Sequence, residues 1–441
     1  MNGSAAKDHF AMNGTVTEDH SGMNGTIMGN NHTMNGEDDL ADSLEQWATN
    51  LAEAAKAYRG ASGQQSLLLR SKMSNNAKQI IDAIKDPGET PFEYSMAEMG
   101  ALRMMMELKI FDKIPQQGSI SYGDLAASIG AEESLLTRIL WMLVSTGLLK
   151  QIGENQVAHT RLSKTYVDGN PQGAFFQIMF DEGMITYTKW PNYFEKFGLK
   201  EPREANYVPT TFAWGCEEKN FWEMMNDNPK RLKAFNLSMA TLDEVLPVTG
   251  MYDYSWIADH AKNGDSSRTL IVDVGSGKGQ ALKRIMASCA EIPASRLVMQ
   301  DRPIVIEEAE NTKDEMLLDV KKMPHDFFKE QPVKGALVYF IRRIIHDWHD
   351  DNCRIILSHL ARAMDSDSRV LICEQIMSNP PSPLNAQTDL CMLGLGAKER
   401  TEKMFKELVP SSGLRLIKIW KAEGTNVGVI ECAKGEQTNG H

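Results

Sequence analysis

From residue 268 to the C-terminus, short apolar runs alternate with stretches in which apolar residues recur every three or four positions. Runs 270–274, 296–300, 336–340 and 369–373 have strand length, and each precedes a helix-length segment. Nearly continuous apolar strands separated by helices specify a parallel sheet covered on both faces, an α/β fold of the Rossmann-like, doubly wound kind. Two further runs, 416–420 and 427–431, are spaced to close the chain as an antiparallel pair.

The N-terminal half carries a helical period instead. Residues 42–83 follow it until Asp86-Pro87-Gly88 breaks it. Segments 96–110, 122–129 and 132–149 read as three helices, the last with Leu136, Ile139, Leu140 and Leu143 on its inner face. Residues 151–159 read as a short hairpin, so helix, turn, helix and hairpin predict a winged-helix shape. Between 175 and 251 the chain is rich in aromatic residues and methionine, among them Trp190, Tyr193, Phe194, Phe212, Trp214, Phe221, Trp222 and Phe235. Most of these belong to a core. Some can line a pocket for a flat ring, because both side-chain types pack on aromatic faces. Before all of this, Met-Asn-Gly recurs at Met1, Met12, Met23 and Met34 in a polar, Asn- and Gly-rich setting that cannot bury a core. The expected division is a disordered tail (1–40), a helical winged-helix dimerisation domain (41–165), a helical substrate-binding region (166–265) and a Rossmann-like domain (266–435). With 441 residues and roughly 150 per domain, that number of units is reasonable.

A net charge of -12 argues against nucleic acid or an anionic membrane as partner, since both require a basic face. The candidate recognition helix agrees: residues 132–144 carry one arginine against two glutamates, which favours a scaffold or dimer surface over DNA reading. No apolar run reaches the roughly 18 residues of a membrane span and no signal layout opens the chain, so a soluble cytoplasmic protein is expected. The six cysteines contain no C-x-x-C pair, and His346 and His349 have no companion ligand motif. Neither a disulfide framework nor a metal site is expected.

Candidate chemistry begins at Asp273-Val-Gly-Ser-Gly-Lys-Gly279, which leads from a buried strand into a helix. Glycines there permit a tight turn and close approach of a ligand to the backbone. A nucleoside-triphosphate loop fails: its first glycine would fall at Val272, and Gly279 stands where Ser or Thr is required. A dinucleotide fingerprint is poorly matched, since the third glycine would fall at Gln280. An acidic residue followed by G-x-G-x-G suits a cofactor without a pyrophosphate, namely S-adenosylmethionine. Asp301 ends the next strand, where a carboxylate accepts hydrogen bonds from ribose hydroxyls; its alternative role is a helix N-cap. The following strand delivers Arg342-Arg-Ile-Ile-His-Asp-Trp-His-Asp350 to the same end of the sheet, and His346 can take a proton near neutral pH. A phenol of pKa about 10 is only about 0.1% ionised at pH 7, so a base raises the supply of nucleophile.

Taken together, Asp273 to Gly279, Asp301-Arg-Pro303, His325-Asp-Phe327, His346-Asp-Trp348 and Lys398-Glu-Arg-Thr401 resemble, in order and spacing, the plant caffeate and flavonoid O-methyltransferases and their fungal secondary-metabolite relatives. The resemblance spans residues 91–432. It implies a homodimer formed through the N-terminal domain and an aromatic small-molecule substrate. It implies cofactor contacts from Gly275, Gly277, Asp301, Asp326, Phe327 and Arg342, the last in place of a lysine. His346 becomes the general base, with Glu374 and Glu399 flanking and orienting its ring. Three departures stand out: Arg302 where the family has leucine, Lys278 where it has threonine or arginine, and a segment 392–397 shorter than in plant members. The last touches a pocket wall and points to the fungal branch. Other readings left by the residues are a cofactor-sensing winged-helix regulator without activity, and transfer to nitrogen or carbon rather than oxygen.

Overall fold

The computed structural model describes residues 34–94, 96–421 and 426–435. Contacts divide the chain into two compact units, 1–94 and 95–441. In the first unit, helices α1 (Met34–Tyr58) and α2 (Gly63–Ile84) pack on each other, followed by the single turn α3 (Thr90–Glu93). Helix α1 starts within the segment 1–40 assigned above to a disordered tail. The apolar period Leu40, Leu44, Trp47, Leu51 already begins there, and burial against α2 outweighs the weak helix propensity of Asn and Gly. The three earlier Met-Asn-Gly repeats lie outside the described residues.

The second unit begins with α4 (Met96–Glu107), α5 (Tyr122–Ile129) and α6 (Glu133–Ser145). Three short strands follow the order β1-β3-β2: β1 (Ile120–Ser121), β2 (Leu149–Ile152) and β3 (Gln156–His159). Ser121 caps α5 by accepting from the Asp124 N–H at 3.0 Å, and Gly130, at φ +68°, ends it. Leu136, Leu140 and Leu143 are buried and Ile139 packs beside them. The stretch expected as one helix, 132–149, stops at Ser145 because Gly147 takes φ +77° and turns Leu149 into β2.

Helices α7 (Pro171–Ile178), α8 (Ile185–Phe197), α9 (Pro209–Ala213), α10 (Phe221–Asn226), α11 (Pro229–Val245) and α12 (Ser255–Asn263) lead to the sheet. A π-helical segment, Met179–Met184, joins α7 to α8. It places Glu182 in a buried ion pair with Arg231, whose guanidinium also stacks 3.9 Å over Trp214. Here the aromatic run seen in the sequence packs mostly on itself, as in the contacts of Tyr193 with Phe194, Phe197 and Phe212.

The large sheet is ordered β10-β11-β8-β7-β4-β5-β6. Its parallel strands are β4 (Ile271–Val274), β5 (Leu297–Asp301), β6 (Lys321–Pro324), β7 (Val338–Arg342) and β8 (Arg369–Met377). Of these, β6 escaped the sequence reading, because Lys321 and Lys322 in an edge strand give no apolar run. Strands β10 (Leu414–Lys421) and β11 (Val427–Lys434) pair antiparallel, and β11 pairs with β8. The two-residue β9 (Arg400–Thr401) adds to the far end of β8. Successive residues face opposite layers. Ile271, Leu297 and Phe340 pack under α12 and α13 (Gln280–Ser288), while Val272, Val298 and Ile341 meet α15 (Asp350–Ala363) and α17 (Glu402–Leu408). The chain runs outward from β4 to β5 and β6, then returns to β7 on the other side of β4. Crossovers therefore leave in opposite directions at the β4/β7 boundary, and the crevice above that boundary is where open α/β sheets bind ligands. Among the described residues no helix is long and apolar enough to cross a membrane.

Candidate active site

Three loops meet at the carboxyl ends of β4, β5 and β7. After β4, Gly275, Gly277 and Gly279 all take positive φ (+72°, +55° and +79°). A Cβ at Gly275 would sit 2.5 Å from Ile344 Cδ1, and one at Gly279 would sit 2.6 Å from Leu317 Cδ1. At Gly277 nothing comes nearer than 3.4 Å, so this residue lies open to a ligand. The loop is tied to β5: Gly275 and Ser276 donate to the Gln300 carbonyl at 2.8 and 3.0 Å, and Gly277 donates to Asp301 Oδ2 at 2.8 Å. Asp301 Oδ1 accepts from the Arg302 N–H at 2.7 Å. Arg302, not Asp301, is the N-cap of the next helix, α14 (Pro303–Asn311). The Asp301 carboxylate therefore bridges two loops, with lone pairs left for hydroxyl donors.

Asp273 lies beneath this loop at 1% exposure, and its Oδ2 has no hydrogen-bond partner among the described residues. Burial pushes its carboxyl up to about 7, against the pull of the Arg342 guanidinium. Arg342 also donates to the Leu246 carbonyl at 3.1 Å. Asp326 is exposed and accepts from the Phe328 N–H at 3.0 Å, while the Phe327 ring edge lies 3.9 Å from the Cβ position at Gly275. Gly275→Ala is expected to weaken cofactor binding about tenfold or more and to lower stability by about 1–3 kcal/mol, since it combines strained φ with a collision at Ile344. Calorimetric titration and urea unfolding check this, with Gly277→Ala as the control that keeps the strain and omits the collision.

His346 sits in the 3₁₀ turn Ile345–Asp347 beyond β7. Its Nδ1 lies 3.0 Å from Glu399 Oε1, and an ionised carboxylate can only accept, so Nδ1 carries the proton. Glu374 acts on the backbone of this turn. Its Oε1 accepts backbone N–H groups from Ile344 (3.0 Å), Ile345 (2.9 Å) and His346 (3.4 Å), so it holds the turn that carries the imidazole. Its placement on β8 beside β7 brings the carboxylate under the turn, whereas the ring leaves on the side of Glu399. Glu374 and Glu399 are each 2% exposed.

Three residues of this site had no assigned role in the sequence. Asp347 Oδ1 stands 3.3 Å from His346 Nε2. Asp389, on α16 (Pro383–Gly394), accepts from the Glu399 N–H at 2.9 Å. Arg400, 1% exposed, donates to the carbonyls of Ile345 (2.7 Å) and Trp348 (2.8 Å) and to Asp350 (2.7 Å). Asp347 and Arg400 fall inside quoted motifs, but only folding reveals their partners.

Burial works against a charged His346, yet the carboxylates of Asp347, Glu374 and Glu399 outweigh it and push the imidazole up to about 10. Burial in turn raises Asp347 and Glu374 despite their attraction to His346. A histidine raised on folding contributes stability that is full below its unfolded pKa of about 6.5 and is lost as pH climbs through the folded value. His346→Gln should therefore flatten the fall in unfolding free energy between about pH 7 and 10. Urea titrations at stepped pH check the slope, and equal slopes in both proteins refute it.

The model of the O-methyltransferase domain matches residues 211–415, and that of the O-methyltransferase dimerisation domain matches residues 93–169. Methyltransferase cfoD of Aspergillus candidus is 40% identical over 400 residues, 89% of this chain and 98% of that protein. Among solved structures, OxaC superposes with a TM-score of 0.77 at 24% identity, covering 90% of this chain and all of its own; it has also been solved with sinefungin and meleagrin. A protein described as a pericyclic reaction enzyme superposes with a TM-score of 0.72 at 21% identity, over 89% of this chain and 100% of its own. At these identities the two structures share the fold.

Proposed function

This chain belongs to the O-methyltransferase family and is an S-adenosylmethionine-dependent methyltransferase; we propose that its acceptor is a hydroxyl group, phenolic in character, on a small aromatic secondary metabolite, with His346 as general base. The observation that carries this reading is the His346 ring, anchored at Nδ1 by Glu399 so that Nε2 is the atom left for a proton, beside the glycine loop. Gly275, Gly277, Asp301, Asp326, Phe327 and Arg342 form the cofactor cradle in this reading. The open face at Gly277 and the free lone pairs of Asp301 suit an adenosine ribose. When bound, the cofactor supplies an electrophilic methyl group on a sulfonium cation. The chain's own contribution is alignment of the acceptor and removal of its proton, the first being the larger.

A winged-helix regulator receives no support from α6, whose sequence Glu133–Ser145 carries one glutamate and one basic residue, Arg138. The dimerisation-domain match over 93–169 supports a homodimer instead. The test is deuteromethyl-labelled S-adenosylmethionine with a panel of phenols and a fungal metabolite extract, read by mass spectrometry. Gain of one labelled methyl on oxygen supports the proposal. Label on nitrogen or carbon moves the chain to another acceptor class, and a rearranged acceptor without label points to chemistry of the pericyclic kind.

A further inference from the structure

We propose, building on the assignment of His346 as base, that Asp347 is a positioning residue that shares the proton of His346 Nε2 and receives it when the imidazole turns to the acceptor hydroxyl. Both ring nitrogens face carboxylates: Nδ1 is 3.0 Å from Glu399 Oε1 and Nε2 is 3.3 Å from Asp347 Oδ1. An ionised carboxylate can only accept, so when Nε2 is protonated the two groups form an ion pair, with Asp347 Oδ1 within reach of that proton. A base needs Nε2 without its proton. Asp347 is the group placed to hold it.

Arg343 completes the arrangement. It takes φ +54°, a left-handed conformation that is strained for a non-glycine residue. The kink separates two neighbouring arginines: Arg342 faces Asp273, while Arg343 reaches Met239 Sδ at 3.5 Å and favours the ionised Asp347. The charged groups acting on the pair are thus Arg343, Glu374 and Glu399. In the step, Nε2–H breaks as Asp347 Oδ1–H forms. The acceptor O–H then breaks as Nε2–H re-forms; the cofactor, when bound, would supply the methyl group to that oxygen and would keep the electron pair of the broken C–S bond. The site ends with one extra proton, which passes to water.

The test follows His346 directly by NMR of ¹³C-labelled histidine, identifying its resonance as the one lost in His346→Gln. No acceptor or cofactor is added, so the outcome is independent of whether the methylation assay succeeds. Asp347→Asn keeps the shape and removes the charge. It is expected to lower the His346 midpoint by about one unit or more, with Asp347→Glu restoring most of it. A midpoint within about 0.3 unit of the parent overturns the proposal, because packing alone would change melting and not titration. Should the asparagine variant fail to fold, Asp347→Ser removes the same carboxylate from a smaller side chain and is read by the same criterion.

Discussion

His346→Ala is expected to reduce methyl transfer by about 10²- to 10⁴-fold while leaving cofactor affinity within about threefold of the parent, the range for loss of a positioned base. The separation follows from the geometry. His346 is anchored from Glu399, whereas the glycine loop is tied to β5 through Gln300 and Asp301, and among the described residues no hydrogen bond of the loop involves the imidazole. Single-turnover rates with labelled donor, alongside calorimetric titration of S-adenosylhomocysteine, distinguish the two effects. A variant that turns over at the parent rate would remove His346 from the base role, and one that loses cofactor affinity in proportion to rate would make it a binding residue. Residual transfer should persist, since alignment of acceptor and donor is untouched.

Arg400→Met is expected to cost about 1–3 kcal/mol of stability, the range for leaving buried acceptors without their donor. Its guanidinium at 1% exposure holds the Ile345 and Trp348 carbonyls on either side of His346 and ion-pairs with Asp350 at the start of α15. The substitution takes the guanidinium donor from the carbonyl of the buried Ile345, while the Asp350 carboxylate, 30% exposed, keeps access to water. Lysine should recover little, because one ammonium cannot span carbonyls and carboxylate that a planar fork bridges. Urea unfolding reads the stability. Activity measured well below the midpoint should fall as well, since the turn carrying His346 loses its outer clamp. A loss under about 1 kcal/mol would mean that the pair is solvated and the clamp dispensable.

These two residues differ in how visible they were. His346 could be found from its place after a strand end and before a helix, together with chemistry that needs a base. Arg400 was quoted within Lys398-Glu-Arg-Thr401 only for the glutamate beside it. An arginine in a sequence reads as surface charge, and nothing local marks one that will be enclosed. The same holds for Glu374. Resemblance placed it beside the ring, and nothing in the sequence showed that its Oε1 accepts three backbone N–H groups of the turn. That role depends on β8 lying beside β7, in the register that sets Arg342 opposite Cys373. The last Met-Asn-Gly repeat shows tertiary contact acting against composition. Composition opposed a helix at Met34, yet pairing of α1 with α2 extends the helix into the last repeat.

What the sequence determined by itself was whatever is written in short-range pattern. Apolar runs of strand length between helical periods demanded a parallel sheet, because only that layer structure buries both kinds of segment. Glycine spacing at 275, 277 and 279 excluded phosphate loops, because backbone freedom is a property of single residues. What only the tertiary structure decided was the company each polar group keeps. Asp273 without a hydrogen bond at Oδ2, Asp347 against Nε2, Glu374 beneath the turn and Arg400 around it all arise where strands distant in sequence converge at one end of the sheet. Charge and hydrogen-bond partners there are set by contacts through space, and no local periodicity encodes them.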